Sequence, residues 1–233
     1  MLGPLTPQEA ELAGFFDRGG ALGSEVQDPS RLADNRWYDG SIFVGLTKKL
    51  TAWANILCSD VLAIGQTRWH AYGPMVYSYL SGSPEEWPTS LAKRLEGRMA
   101  RCQKVAFFCH TTAHWTLAVA DPGSRLIQVF DSYPGRSAGQ EVGLALATFF
   151  SEHLPTPRLW KYSVMECELQ ANDSDCGPHS ILNFLRAAAY HRDGRWYPGP
   201  GISAIRRRVA AMLLSPVDGS SWCASLPQIN VEP

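Results

Sequence analysis

The stretch Asp175-Cys176-Gly177-Pro178-His179 puts a sulfur where it can act. Behind it Ile181, Leu182, Phe184, Leu185 and Ala188 recur at helical spacing, so Cys176 is predicted to open a helix. A helix start offers unpaired backbone N–H groups and the positive end of a dipole, both of which favour thiolate over thiol. The thiolate is the nucleophile. Gly177 would let a substrate backbone come close, and Pro178 costs little in a first turn. Taken alone, such a cysteine is a packing residue. A hydrolytic sulfur also needs a base and something to steady the base. His114 stands just before the apolar run Trp115 to Ala120, and Asp131 ends the run Leu126 to Phe130. The turn Asp121-Pro122-Gly123-Ser124 folds the two runs into a hairpin, which brings the start of one beside the end of the other. The carboxylate can then accept from one imidazole nitrogen and leave the other for the sulfur. Gln170 supplies an amide that, with the Cys176 N–H, could donate to an oxyanion; read alone it is a surface glutamine.

The elements that must position these groups follow from pattern. Thr6, Pro7 and Glu9 begin a short helix to Asp17. Ile42, Leu46, Leu50, Trp53 and Leu57 mark a helix from Ser41 to about Ser59, and loop with a short helix is expected over residues 61–80. Ser83-Pro84-Glu85-Glu86 opens a helix to about Met99. Val105 to Cys109 and the two runs of the hairpin form a small sheet, followed by a helix from Ala138 to about His153 and one or two strands between Leu159 and Gln170. Ile202 to Leu214 reads as a last amphipathic helix with Arg206, Arg207 and Arg208 on its wet side, and Ser220 to Pro233 as a loose tail. Helices, then strands, then helices argue for an α+β domain with a small mixed or antiparallel sheet flanked by helices. One catalytic domain is expected over residues 1–233: an extension to residue 34, a core over 35–215 and a tail over 216–233.

As a set, His114-Trp115, Asp131, Gln170 and Asp175-Cys176-Gly177 resemble the ubiquitin-like-protein proteases, the SUMO-processing cysteine proteases related to the adenovirus protease. In that family the order is His, Asp, Gln, Cys; the histidine is followed by tryptophan, and Asp-Cys-Gly follows the glutamine after a short polar loop, here Ala171-Asn172-Asp173-Ser174. The resemblance runs from about Asn35 to about Arg192 and excludes the papain order, in which cysteine comes first. It implies a papain-like cysteine protease fold and hydrolysis after the C-terminal Gly-Gly of SUMO, ubiquitin or a related modifier, by deconjugation or precursor processing. It also implies modifiers and their conjugates as partners, with no cofactor and no metal. Family members thread the di-glycine tail between two tryptophans. Trp115 is one; Trp37, in Trp37-Tyr38-Asp39-Gly40, looks like the other, with Asp175 and Gly177 beside the nucleophile on the substrate side. A slot between indoles selects glycine by excluding side chains. Tyr38 replaces the usual leucine and Gly40 the second acid, so strict SUMO preference is not implied. The bland reading of Trp37 is a core aromatic, as Trp53 and Trp69 are taken to be.

Bulk properties bound the rest. The 233 residues, 45% hydrophobic, suffice for one sizeable core. With 21 Lys and Arg against 22 Asp and Glu, no global field draws the chain to nucleic acid or anionic membrane. No apolar run reaches the roughly 20 residues of a membrane span, and the first residues lack a secretory pattern. Six widely spaced cysteines are read as reduced, which suggests cytoplasm or nucleus, including a pathogen effector acting in host cells. A monomer is expected. The cluster Cys102, Cys109, His110 and His114 matches no common zinc spacing, and His179 is read as a helix-surface residue. Two other classes remain open: an acyltransferase using the same Cys/His site, and an idle module that only holds a modifier.

Overall fold

The computed structural model describes residues 29–32, 36–57, 69–82, 89–135, 137–154, 158–193 and 201–214. The predicted helix of residues 6–17 and the tail lie outside them. Within them the chain forms α1 (Gly40–Leu57), β1 (Trp69–Tyr72), α2 (Pro74–Leu80), α3 (Thr89–Met99), β2 (Lys104–Thr111), β3 (His114–Asp121), β4 (Leu126–Phe130), α4 (Ala138–Glu152), β5 (Lys161–Met165), α5 (Cys176–Asp193) and α6 (Ile202–Leu214). A 3-10 turn, Pro29–Leu32, precedes α1. No helix among the described residues is long and apolar enough to cross a membrane.

The strands form one mixed sheet in the order β1-β2-β3-β4-β5. β2, β3 and β4 are antiparallel neighbours, while β1 and β5 add parallel edges through helical crossovers. Alternate strand residues feed two cores. Ala106, Phe108, Trp115, Leu117 and Val119 face α1, α5 and α6. Val105, Phe107, Cys109, Ala118 and Ala120 face α2, α3 and α4. The α+β expectation with a mixed sheet therefore holds. β1 was not anticipated in residues 61–80, where loop and helix were expected; α2 is the short helix.

Asp39 starts α1: its carboxylate accepts from the backbone N–H groups of Ser41 (2.9 Å) and Ile42 (3.3 Å) and from the Ser41 hydroxyl. The β2–β3 hairpin is tight, with Thr111 paired to His114, and Ala113 takes the left-handed φ of 51° that the reversal needs. α6 spans the predicted residues, but its wet side is misread: Arg206 and Arg208 are 2% and 5% exposed, and only Arg207 lies in solvent.

Close packing of β5 on α4 depends on Gly143. A Cβ there would meet the Tyr162 ring at 2.3 Å. Gly143→Ala is therefore expected to lower the unfolding free energy by about 1–3 kcal/mol, read from urea denaturation. Tyr162→Ala in the same chain should recover most of that loss. An unchanged midpoint in the single variant would show that the ring is not wedged there.

Candidate active site

His114 opens β3 and Asp131 follows β4, so the hairpin delivers both to one end of the sheet. The His114 Nε2 lies 2.6 Å from Asp131 Oδ1, with both side chains buried. Asp131 is itself fixed by backbone. Its Oδ1 also accepts from the Tyr133 N–H (3.0 Å), and its Oδ2 from the Gly139 N–H (2.9 Å) in the first turn of α4. Gly139 allows this approach, since a Cβ there would sit 3.1 Å from the Asp131 Cβ. Burial alone would raise the Asp131 pKa; the hydrogen bonds from His114, Tyr133 and Gly139 outweigh it and hold the carboxyl below its usual range.

Cys176 is the first residue of α5, and its thiol lies near enough to the same imidazole to perturb its titration. Burial alone would lower the His114 pKa. Hydrogen bonds to Asp131 and Cys176, and the charges of both, reverse that and put it at about 9. At neutral pH the ring is an imidazolium between a carboxylate and a sulfur, in a site nearly closed to water. The Tyr133 ring stands edge-on to it, with centroids 5.7 Å apart.

Gln170 is 5% exposed rather than a surface residue. Its N–H donates to the Ser132 carbonyl (2.8 Å), and its Oε1 accepts from the Ser132 hydroxyl (2.9 Å). Its Nε2 donates to the Asn172 carbonyl. An amide nitrogen carries two N–H groups, so one remains for an incoming oxygen. The loop between Gln170 and Cys176 is wound on Asn172, whose Oδ1 accepts from the N–H groups of Ser174 (2.9 Å) and Asp175 (3.0 Å).

Asp175 and Gly177 touch protein groups. The Asp175 Oδ1 accepts from Arg206 Nη2 (2.6 Å) and Nε (3.1 Å), and its Oδ2 from Asn172 Nδ2 (2.7 Å). The space a Cβ would take on Gly177 is filled by Tyr38, whose own Cβ lies 2.8 Å away. Trp115, 2% exposed, packs on Phe43 with ring centroids 4.1 Å apart, and its Nε1 donates to the Tyr38 carbonyl (2.9 Å). Trp37, half-buried, is the residue before that carbonyl. The Trp115 indole is thus hydrogen-bonded to the residue next to Trp37.

Sequence reasoning missed Arg206, Ser132, Asn172 and Gly139. Arg206 also donates to the carbonyls of Arg31 (3.2 Å), Arg36 (2.7 Å) and Ser174 (3.3 Å), and its guanidinium lies 4.9 Å from the Tyr38 ring centroid. His179 is not on the surface either: it is 2% exposed, and burial lowers its pKa. Cys102, Cys109, Cys167 and Cys176 are free thiols. Among the described residues no group of three His, Cys, Asp or Glu is placed to hold a metal ion.

No family model matches the chain. Over 109 residues it is 32% identical to Ubiquitin-like-specific protease 1A of Arabidopsis thaliana, covering 43% of this chain and 20% of that protein. The chain thus aligns with about a fifth of the length of that curated relative. Two solved structures share its fold at low identity. The C-terminal Ulp1 protease domain in complex with SMT3, the yeast ortholog of SUMO, superposes with a TM-score of 0.69 at 16% identity, over 92% of this chain and 97% of that one. The Chaetomium thermophilum Ulp1-like SUMO protease catalytic domain does so with 0.69 at 20% identity, over 92% and 91%.

Arg206 is expected to be a stability determinant of the site. Arg206→Met leaves the Asp175 carboxylate without its cation and should cost about 3–5 kcal/mol in chemical denaturation. Arg206→Lys restores charge but not the two-pronged geometry, and should recover only part. Native-like midpoints in both variants would remove Arg206 from this role.

Proposed function

We propose that this chain, which has the fold of Ulp1-type SUMO protease catalytic domains, is a cysteine protease that hydrolyses the bond after the C-terminal glycine of SUMO, ubiquitin or a related modifier. The observation that carries the reading is the single imidazole of His114, held 2.6 Å from Asp131 and raised in pKa by both that carboxylate and Cys176, which opens a helix. That arrangement can generate and keep a thiolate.

In the proposed reaction the Cys176 thiolate attacks the carbonyl carbon of the terminal glycine. The negative charge moves to the carbonyl oxygen, where the free N–H of Gln170 and the backbone N–H of Cys176 receive it. The imidazolium at His114 gives its proton to the departing amine as the C–N bond breaks, leaving a thioester. His114 then takes a proton from water, which attacks the thioester and releases the modifier's carboxylate and the thiol. Asp131 stays ionised throughout and keeps the ring in one orientation. Trp37 and Trp115 wall the tail, and Asp175 and Gly177 act by shaping the loop and helix start beside it. The wide cysteine spacing of the sequence is the basis for proposing a reducing compartment, cytoplasmic or nuclear.

Two experiments test this. A panel of modifiers bearing C-terminal electrophiles should form an adduct on Cys176, read by mass spectrometry, and none on Cys176→Ala; the members that react define the preferred modifier. Failure of every modifier to react, together with acetyl transfer from acetyl-CoA to a protein acceptor, would replace the protease by an acyltransferase. Gln170→Ala should lower turnover about 10²–10³-fold.

The pH dependence has a definite sign. The His114 pKa is raised to about 9, above its ordinary value of 6.5, so the charged pair is fully present below about 6.5 and is lost as pH rises through about 9. Modifier hydrolysis should fall on the alkaline side with an apparent pKa of about 9. In Asp131→Asn that limb should move to lower pH and the rate should drop. An alkaline limb unmoved by Asp131→Asn would dissociate the carboxylate from the base.

A further inference from the structure

The end of the sheet opposite the candidate active site carries a cleft of about 620 Å³. Its lining comes from the end of α3, the start of β2, the β3–β4 turn and the approach to β5. That volume is in the range of ligand sites, roughly 300–1,000 Å³. Met99, Leu154 and Trp160 give it an apolar floor, each buried against the α4-side core. Three cations, Lys104, Arg125 and Arg158, line it against two acids, Glu96 and Asp121. Lys104 and Asp121 cancel in a 2.8 Å ion pair, and Glu96 is itself engaged. The guanidinium groups of Arg125 and Arg158 make no ion pair or hydrogen bond with the described residues, so two unspent positive charges stand beside an apolar floor.

Arg125 is unusual in its backbone as well. Its φ is 55°, a left-handed conformation that glycine or asparagine adopts at less cost, yet a long cation occupies it. The position is fixed by the neighbouring strand, since the Lys161 N–H donates to the Arg125 carbonyl (3.0 Å). The two arginines sit on separate stretches of chain, one on the β3–β4 turn and one entering β5. Each guanidinium matches one carboxylate in two-pronged fashion. A segment carrying two acids answers both charges, and the floor suits an apolar side chain beside them.

We infer that this cleft is a docking site for an acidic peptide segment with a bulky apolar residue between its acids, presented by a partner protein. The segment lays its apolar side chain on Met99 and Trp160 and its carboxylates on Arg125 and Arg158. The site is independent of the chemistry proposed at Cys176.

The test uses the full chain and a fluorescein-labelled peptide, acetyl-Glu-Asp-Phe-Leu-Asp-Glu-amide, read by anisotropy. The native chain and Cys176→Ala should bind it alike, with affinity falling as salt rises. The double variant Arg125→Gly with Arg158→Gln should bind at least tenfold weaker. Glycine suits the left-handed φ at 125, so the thermal midpoint of that variant should not fall, which separates lost binding from lost folding. A counterpart peptide with lysine in place of each acid should not bind. Undiminished binding by the double variant, or equal binding of the lysine peptide, would overturn the assignment. Displacement of the peptide by millimolar inorganic phosphate at constant ionic strength would overturn it too, by assigning the cleft to a small anion.

Discussion

A guanidinium buried beneath the loop before Cys176 holds the site together. Arg206 projects from α6 and gathers the carbonyls of Arg31, Arg36 and Ser174 and the Asp175 carboxylate, with the Tyr38 ring alongside. Those groups belong to the strap before α1 and to the loop before α5, the two stretches that flank Cys176. A buried cation is tolerable only when its donors are satisfied, and loop carbonyls with no strand or helix partner need donors just as much. Arg206 meets both needs at once. The resulting constraint fixes the strap against the helix start: Tyr38 fills the space that only a glycine leaves at 177, and its carbonyl receives the Trp115 indole N–H.

The His114 side of the site is built on a different principle. Here the fixed element is the Asp131 carboxylate, which takes two backbone N–H groups besides the imidazole, one of them from the first turn of α4. A carboxylate held this way cannot easily accept a proton, so the imidazole beside it becomes the group that holds one. Cys176 rests on α5 and Asp131 against α4, helices on opposite faces of the sheet. The histidine enters from the hairpin between them. His114 comes from β3, Cys176 from the start of α5, and Asp131 from the residue just after β4.

What was legible in the sequence, and what was not, follows from range. The His114–Asp131 neighbourhood came from hairpin arithmetic. With Leu117 paired to Phe130, the register sets Asp131 opposite Thr116, two residues from His114 on the same side of the strand. The extent of α6 came from its period, but the burial of its arginines did not. Three successive residues sweep about 200° of a helix, so Arg206, Arg207 and Arg208 cannot all share one wet face. That argument was available and points to at least one buried arginine, though not to its partners, which lie far away in sequence. β1 escaped because four residues, Trp69–Tyr72, are too few for a period to show. The packing of Tyr38 on Gly177 was not legible because that neighbour comes from a strap nearly 140 positions earlier.

The sheet also separates two kinds of work. β3 runs from His114 at one end to Asp121, paired with Lys104, at the other, about 23 Å at roughly 3.3 Å per residue. At the first end charges are buried, mutually paired and shielded, which suits bond cleavage because each interaction is strong where water is excluded. At the second, two guanidinium groups make no ion pair with the described residues, a setting in which charges favour discrimination and encounter over tight holding. A strand this well buried does not stretch, so anything engaged at both ends must itself span the distance.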